Sequence, residues 1–179
     1  MKNHIAIFFV FVSILFFQSC SSQNTTDSKT VDTLINSGEL TFFAQRANPT
    51  NYDVINIMNS IPNSTSTRVL DLSGGNYTIE LKKDNLEVVL PYFGRLFNPS
   101  LGNVDKNSYR FTSKDFTVSK SQNKKGNWVI KIKPNDVSNV SDIIMEVFKN
   151  GKAFVSMRSS DRQPISYDGY ISNNEIPKS

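Results

Sequence analysis

The chain has 179 residues, 38% of them hydrophobic and 20% charged, with a formal charge of +4. That is one domain's worth of chain, and the balance excludes both a disordered polar chain and a polytopic membrane protein. The one histidine, His4, and the one cysteine, Cys20, both lie in the first twenty residues, which excludes several chemistries once the N-terminus is read.

Met1-Lys2-Asn3-His4 is a short basic segment, and Ile5 to Phe17 is apolar except for Ser13. This run suits the apolar part of a secretory signal and falls short of the ~20 residues that span a bilayer as a helix. Phe17-Gln18-Ser19-Cys20 resembles a bacterial lipobox. That resemblance implies cleavage before Cys20, a diacylglyceryl group on its thiol and an acylated amine; the alternative is an ordinary secreted protein cut nearby. Two or more acyl chains hold a protein stably on a membrane, whereas one does so marginally. Ser21, not aspartate, follows the cysteine, and no acidic cluster comes after it. The expected address is therefore the outer membrane, facing the periplasm. The expected segments are a signal peptide over 1–19, lipidated Cys20 with a flexible tether over 20–30, a β domain over 31–172 and a frayed tail over 173–179.

Such processing removes His4, Lys2 and five of the thirteen phenylalanines, and converts the only thiol to a thioether. Ser-His-Asp and Cys-His catalysis then lack their base, and Cys/His zinc sites lack ligands. There is no phosphate-binding or dinucleotide fingerprint. The reading is a non-enzyme with no cofactor, no metal site and no nucleic-acid role.

Residues 27 to 37 predict a short helix, with Thr26 or Asp27 as cap, Val31, Leu34 and Ile35 on one face, and Gly38 as stop. Thr41 to Ala47 reads as a strand. Residues 50 to 67 are ambiguous, with Tyr52, Ile55 and Met58 able to share a helical face. From Arg68 on, period two dominates. Strands are predicted at Val69–Leu72, around Tyr77, Ile79 and Leu81, and at Leu86 to Leu90, where Pro91 stops the chain. A loop over 98 to 107 precedes strands carrying Tyr109 and Phe111, then Phe116 and Val118. Lys120 to Gly126 reads as a polar hairpin loop, followed by Trp128, Ile130 and Ile132 on one strand face. Ile143, Met145 and Val147 lead into Asn150-Gly151, a type I′ turn signal. Ala153, Val155 and Met157 return from it, and Ile165 to Ile171 is the last strand. Eight to ten short strands with hairpin-length turns predict one antiparallel all-β domain: a lipocalin-like up-and-down barrel or a two-layer sandwich, with a short N-terminal helix.

Three segments carry a further resemblance: Phe42 to Pro49, Leu90-Pro91-Tyr92-Phe93-Gly94-Arg95, and Arg162 to Ile171 with the pattern R-x-x-I-S-Y-x-G-Y-I. They resemble an uncharacterised family of small Bacteroidetes envelope lipoproteins that carries a domain of unknown function. The resemblance implies a lipocalin-like barrel; it brings no activity and no catalytic residues.

Candidate ligand-binding residues are Tyr92, Phe93, Arg95, Arg158, Arg162 and Tyr167. Rings at a barrel mouth could grip an apolar ligand while an arginine pairs with an anionic head; alternatively the rings plug the core. Asp161 and Asp168 are the one carboxylate pair near the last hairpin. If the barrel is hollow, Trp128, Tyr77 and Phe111 would line it, though small barrels are usually filled. The expected function is a lipid-anchored binding module for a small apolar or amphipathic envelope molecule. The alternative is a structural or protein-interaction lipoprotein docking onto an envelope complex.

Overall fold

A computed structural model describes residues 27–63, 65–99, 102 and 107–174. The signal peptide, Cys20, the tether up to residue 26 and residues 175–179 of the tail lie outside the described residues. Helix α1 (Ser28–Ser37) ends at Gly38, as its spacing predicts, and takes in residues 28–30 assigned above to the tether. Strand β1 (Leu40–Pro49) follows, then α2 (Tyr52–Ser60), α3 (Ser66–Val69), β2 (Thr78–Leu81), β3 (Leu86–Leu90), β4 (Tyr109–Ser113), β5 (Phe116–Gln122), β6 (Trp128–Pro134), β7 (Val140–Val147), β8 (Lys152–Ser159) and β9 (Ile165–Ser172).

The nine strands form one antiparallel, nearly closed barrel-shaped sheet in the order β4-β3-β2-β1-β9-β8-β7-β6-β5. All sequence neighbours pair except β4 and β5, and the first and last strands are joined by the β1–β9 ladder, from Thr41 opposite Ser172 to Pro49 opposite Ile165. This is the barrel alternative, not the sandwich. The two sheet edges are β4 and β5, consecutive in the chain. Their turn is fastened from the side: the Asp136 carboxylate accepts from the Ser113 hydroxyl and from the amides of Lys114 and Asp115 at 2.9 and 3.3 Å. Those donors hold the Asp136 carboxyl below its ordinary range.

Alternation puts Phe42, Ile79, Leu81, Val88, Ile130, Ile132, Ile143, Met145, Val155 and Tyr167 inside, each no more than 1% exposed. Side chains therefore fill the interior. Helix α1 covers one end, burying Val31 and Ile35. There the Trp128 indole donates to Asp32 at 2.7 Å, and the Lys120 ammonium donates to the Ile35 carbonyl at the helix C-terminus, where a cation is favoured. Trp128 is thus a seal at the α1 end and not part of a ligand-lining face; Tyr77 and Phe111 pack against the same core, partly buried.

Local readings fail in three places. Val69–Leu72 is not a strand. Thr65 caps α3 by accepting from the Arg68 amide, and the chain then meets β1 through two bonds, Ala47 N to Leu70 O at 2.9 Å and Leu72 N to Gln45 O at 2.8 Å. Leu70 and Leu72 are buried, so the apolar alternation is real while the ladder is not. Lys120 to Gln122 continue β5, paired with β6 out to Gln122 opposite Trp128. That stretch is polar because an edge strand presents it to water. At Asn150-Gly151 only Gly151 has positive φ, 79°. The connection is therefore not type I′, which needs it at both positions; the loop is Lys149-Asn150-Gly151, closed by Phe148 N to Lys152 O at 2.8 Å.

Candidate functional site

The end opposite α1 gathers most of the sequence candidates. Pro91 ends β3, and the chain turns so that the Tyr92 hydroxyl lies 2.9 Å from the Arg95 carbonyl and 3.1 Å from that of Gln163, donating between them. A side chain at Gly94 would not fit, since its Cβ would come 2.4 Å from that hydroxyl. The segment before β9 closes onto this turn through Phe97 N to Asp161 O at 2.8 Å and Gln163 N to Arg95 O at 3.1 Å. From β9 the Tyr167 hydroxyl donates to the Pro91 carbonyl at 2.7 Å.

Arg162 is the hub. Its guanidinium, 2% exposed, grips both Asp161 oxygens at 3.0 and 2.9 Å and donates to the Asn107 carbonyl at 3.0 Å. Its Cζ sits 5.1 Å from the Tyr92 ring centre and 4.7 Å from that of Tyr109, while the two rings meet edge-on at 5.8 Å. A planar, weakly hydrated cation suits this place between rings, where an ammonium would not. Asp161 also accepts from Asn139 at 3.2 Å. The Arg162 bond is the largest cause holding the Asp161 carboxyl below its ordinary range.

The six candidates therefore divide. Tyr92, Arg162 and Tyr167 come together with their polar groups already engaged by protein. Phe93 packs partly buried against the core. Arg95 and Arg158 are exposed, Arg158 on the outer face of β8 opposite Asp142. Asp168 lies on β9 opposite Arg46 and accepts from Asn48 at 2.8 Å, so it and Asp161 are bound to separate partners rather than to each other. Tyr109, which donates nothing in the sequence to mark it, completes the hub through the Ser159 hydroxyl at 3.0 Å.

Burial pushes the Tyr109 phenol up to about 12, and also raises Tyr92 and Tyr167. Unfolded tyrosines ionise near about pH 10, so this stability is fully present below that pH and is lost as pH rises through the folded value. The expected result is a denaturant midpoint that falls steeply above about pH 10, with a shallower fall in Tyr109→Phe. Phenolate absorbance recorded during unfolding checks it.

Two surface features went unmarked in the sequence. On the outside of the barrel, a groove of about 690 Å³ is lined by Gln45, Lys125, Asn127, Phe148, Lys149, Asn150, Lys152, Ala153, Asp168 and Gly169. At the Arg162 end, α2 buries no residue, and Tyr52, Ile57 and Ile61 are 80%, 63% and 49% exposed. Among the described residues no group of histidine, cysteine or carboxylates is placed to hold a metal, and no helix is long and apolar enough to cross a membrane.

The architecture is thus a filled, nine-stranded antiparallel barrel capped by a helix, with its candidate residues tied into one closed end. Residues 22–171 match the family model described as Domain of unknown function (DUF4251), and the chain belongs to that family. It is similar to a solved DUF4251 family protein from Bacteroides eggerthii DSM 20697, at 11% identity over 82% of this chain and 87% of that one, with a TM-score of 0.48. No curated protein matches the chain.

Proposed function

We propose that the chain is a non-enzymatic lipoprotein, anchored at Cys20 and facing the periplasm, that acts through its outer surface as a protein-interaction module. An apolar ligand inside the barrel would need a chamber of some ~300 Å³ or more, and the space is taken by Phe42, Ile79, Ile130, Met145 and their neighbours. The Arg162 hub has its donors turned inward onto protein. What carries the interaction reading is α2, an amphipathic helix inserted between β1 and β2 that buries no residue fully: Met58 packs partly buried against the core while Ile57 and Ile61 share an exposed stripe. Isolated apolar side chains on a surface are ordinary; Tyr52, Ile57 and Ile61 exposed together on a helix so lightly seated make a surface for a partner.

A photo-crosslinking residue at position 57 tests this in intact envelopes. One envelope protein should be captured, and the double variant Ile57→Asp, Ile61→Asp should lose its co-purification while keeping its stability within about 0.5 kcal/mol. A double variant that still co-purifies the same protein contradicts the reading.

A further inference from the structure

We infer that the α1 end, with the outer groove beside it, docks onto the headgroups of an anionic phospholipid bilayer. The inference rests on the Cys20 anchor proposed above. The described chain begins at this end. Ser28, the first residue of α1, lines a small cavity of about 180 Å³ together with Gly126, Trp128 and Lys149. Lys149 also lines the larger groove, with Lys125, Lys152 and the half-exposed Phe148. Eight peptide steps separate Cys20 from Ser28, so the anchor can lie no farther than about 30 Å from this end. A lipidated Cys20 therefore holds the membrane surface within about 30 Å of this end of the barrel, the end from which the tether leaves.

The chemistry of the face suits that neighbour. Lys124 and Lys125 stand in the β5–β6 loop and Lys149 and Lys152 flank the β7–β8 turn, all exposed. The nearby acids make no ion pair with these lysines among the described residues. Glu146 accepts from Asn123 and Asn127, each at 2.8 Å, Asp32 holds Trp128, and Asp168 holds Asn48. Exposed and outside any ion pair, the lysines can reach outward, beside a phenylalanine that can enter the headgroup layer. Basic side chains near an anionic leaflet each raise binding roughly fivefold, and the effect decays within a Debye length, so the tether brings the face within reach and the lysines hold it once they meet the headgroups.

The test uses the mature protein purified from its own envelope. Intact mass first reports the diacylglyceryl group on Cys20; its absence overturns the anchor alone. The protein is then placed in nanodiscs of phosphatidylcholine, with or without phosphatidylglycerol, and amine labelling is read lysine by lysine. Lys124, Lys125, Lys149 and Lys152 should be protected several-fold by phosphatidylglycerol, while Lys114 and Lys133 should be unchanged. In the variant Lys149→Glu, Lys152→Glu, the protection of Lys124 and Lys125 should vanish with the melting temperature kept. Equal labelling of the four lysines in both nanodiscs overturns the docking even when the acyl mass is present. If the acyl group is absent, sedimentation of the same protein with phosphatidylglycerol vesicles but not with phosphatidylcholine supports the face, and sedimentation with neither refutes it.

Discussion

Gly169→Ala should cost the barrel about 3 kcal/mol, lowering the melting temperature by roughly 6–12 °C for a chain of this size. The cause is backbone, not side chain. β1 carries an irregularity between Ala44 and Arg46 in its pairing with β9, and Gly169 lies opposite Ala44. A Cβ there would sit 2.0 Å from the Phe43 carbonyl oxygen and 2.7 Å from the Phe42 ring. A carbonyl inside a ladder cannot swing away as a lysine tip can, so β1 or β9 must move and the β1–β9 seam that joins the two halves of the sheet opens. Gly74→Ala is the control: its Cβ meets nothing within 4 Å, and it should stay within about 0.5 kcal/mol. Denaturant unfolding of both checks the pair, and equal stability would show that the seam has slack the geometry denies.

Arg162→Met should be comparably damaging, by about 3 kcal/mol. It keeps a chain of similar length but strips two bonds from Asp161, one from the Asn107 carbonyl and the cation from between Tyr92 and Tyr109. Asp161 is left partly buried with Asn139. The variant also carries a pH signature. Because the folded Asp161 carboxyl is lowered, its contribution is fully present above the unfolded value of about 3.9 and is lost as pH falls through the folded value. Removing its main partner should flatten the acid limb of the stability profile. A variant as stable as the parent, or with an unchanged acid limb, would remove Arg162 from its central place.

The sequence made the barrel legible because most of its strands are half-buried and alternate cleanly, as in Leu86 to Leu90 or Trp128 to Ile132. It misled where exposure, not conformation, set the composition. Lys120 to Gln122 are polar as an edge strand, and Leu70 and Leu72 alternate without a ladder because two long-range bonds to β1 hold them. The candidate residues were visible as motifs, yet their role was not. Arg162 looked like one of several surface charges because the rings that enclose it, Tyr92 and Tyr109, come from 70 and 53 positions away in the chain. Burial of an arginine is a tertiary fact. So is the filling of the barrel, which depends on how β1 meets β9. The light seating of α2 likewise left no trace in its period: Ile55 and Met58 mark a helical face and Met58 does meet the core, but spacing does not say how deeply.

The interior of this barrel is filled by its own side chains, and the proposed function places its partner outside. Native mass spectrometry of the mature protein from its own envelope tests that most directly. The expected result is an acylated chain carrying no stoichiometric small-molecule adduct once bound bilayer lipid is removed. A single adduct that persists through delipidation and leaves only on denaturation would mean a ligand held within the barrel, and would contradict the reading.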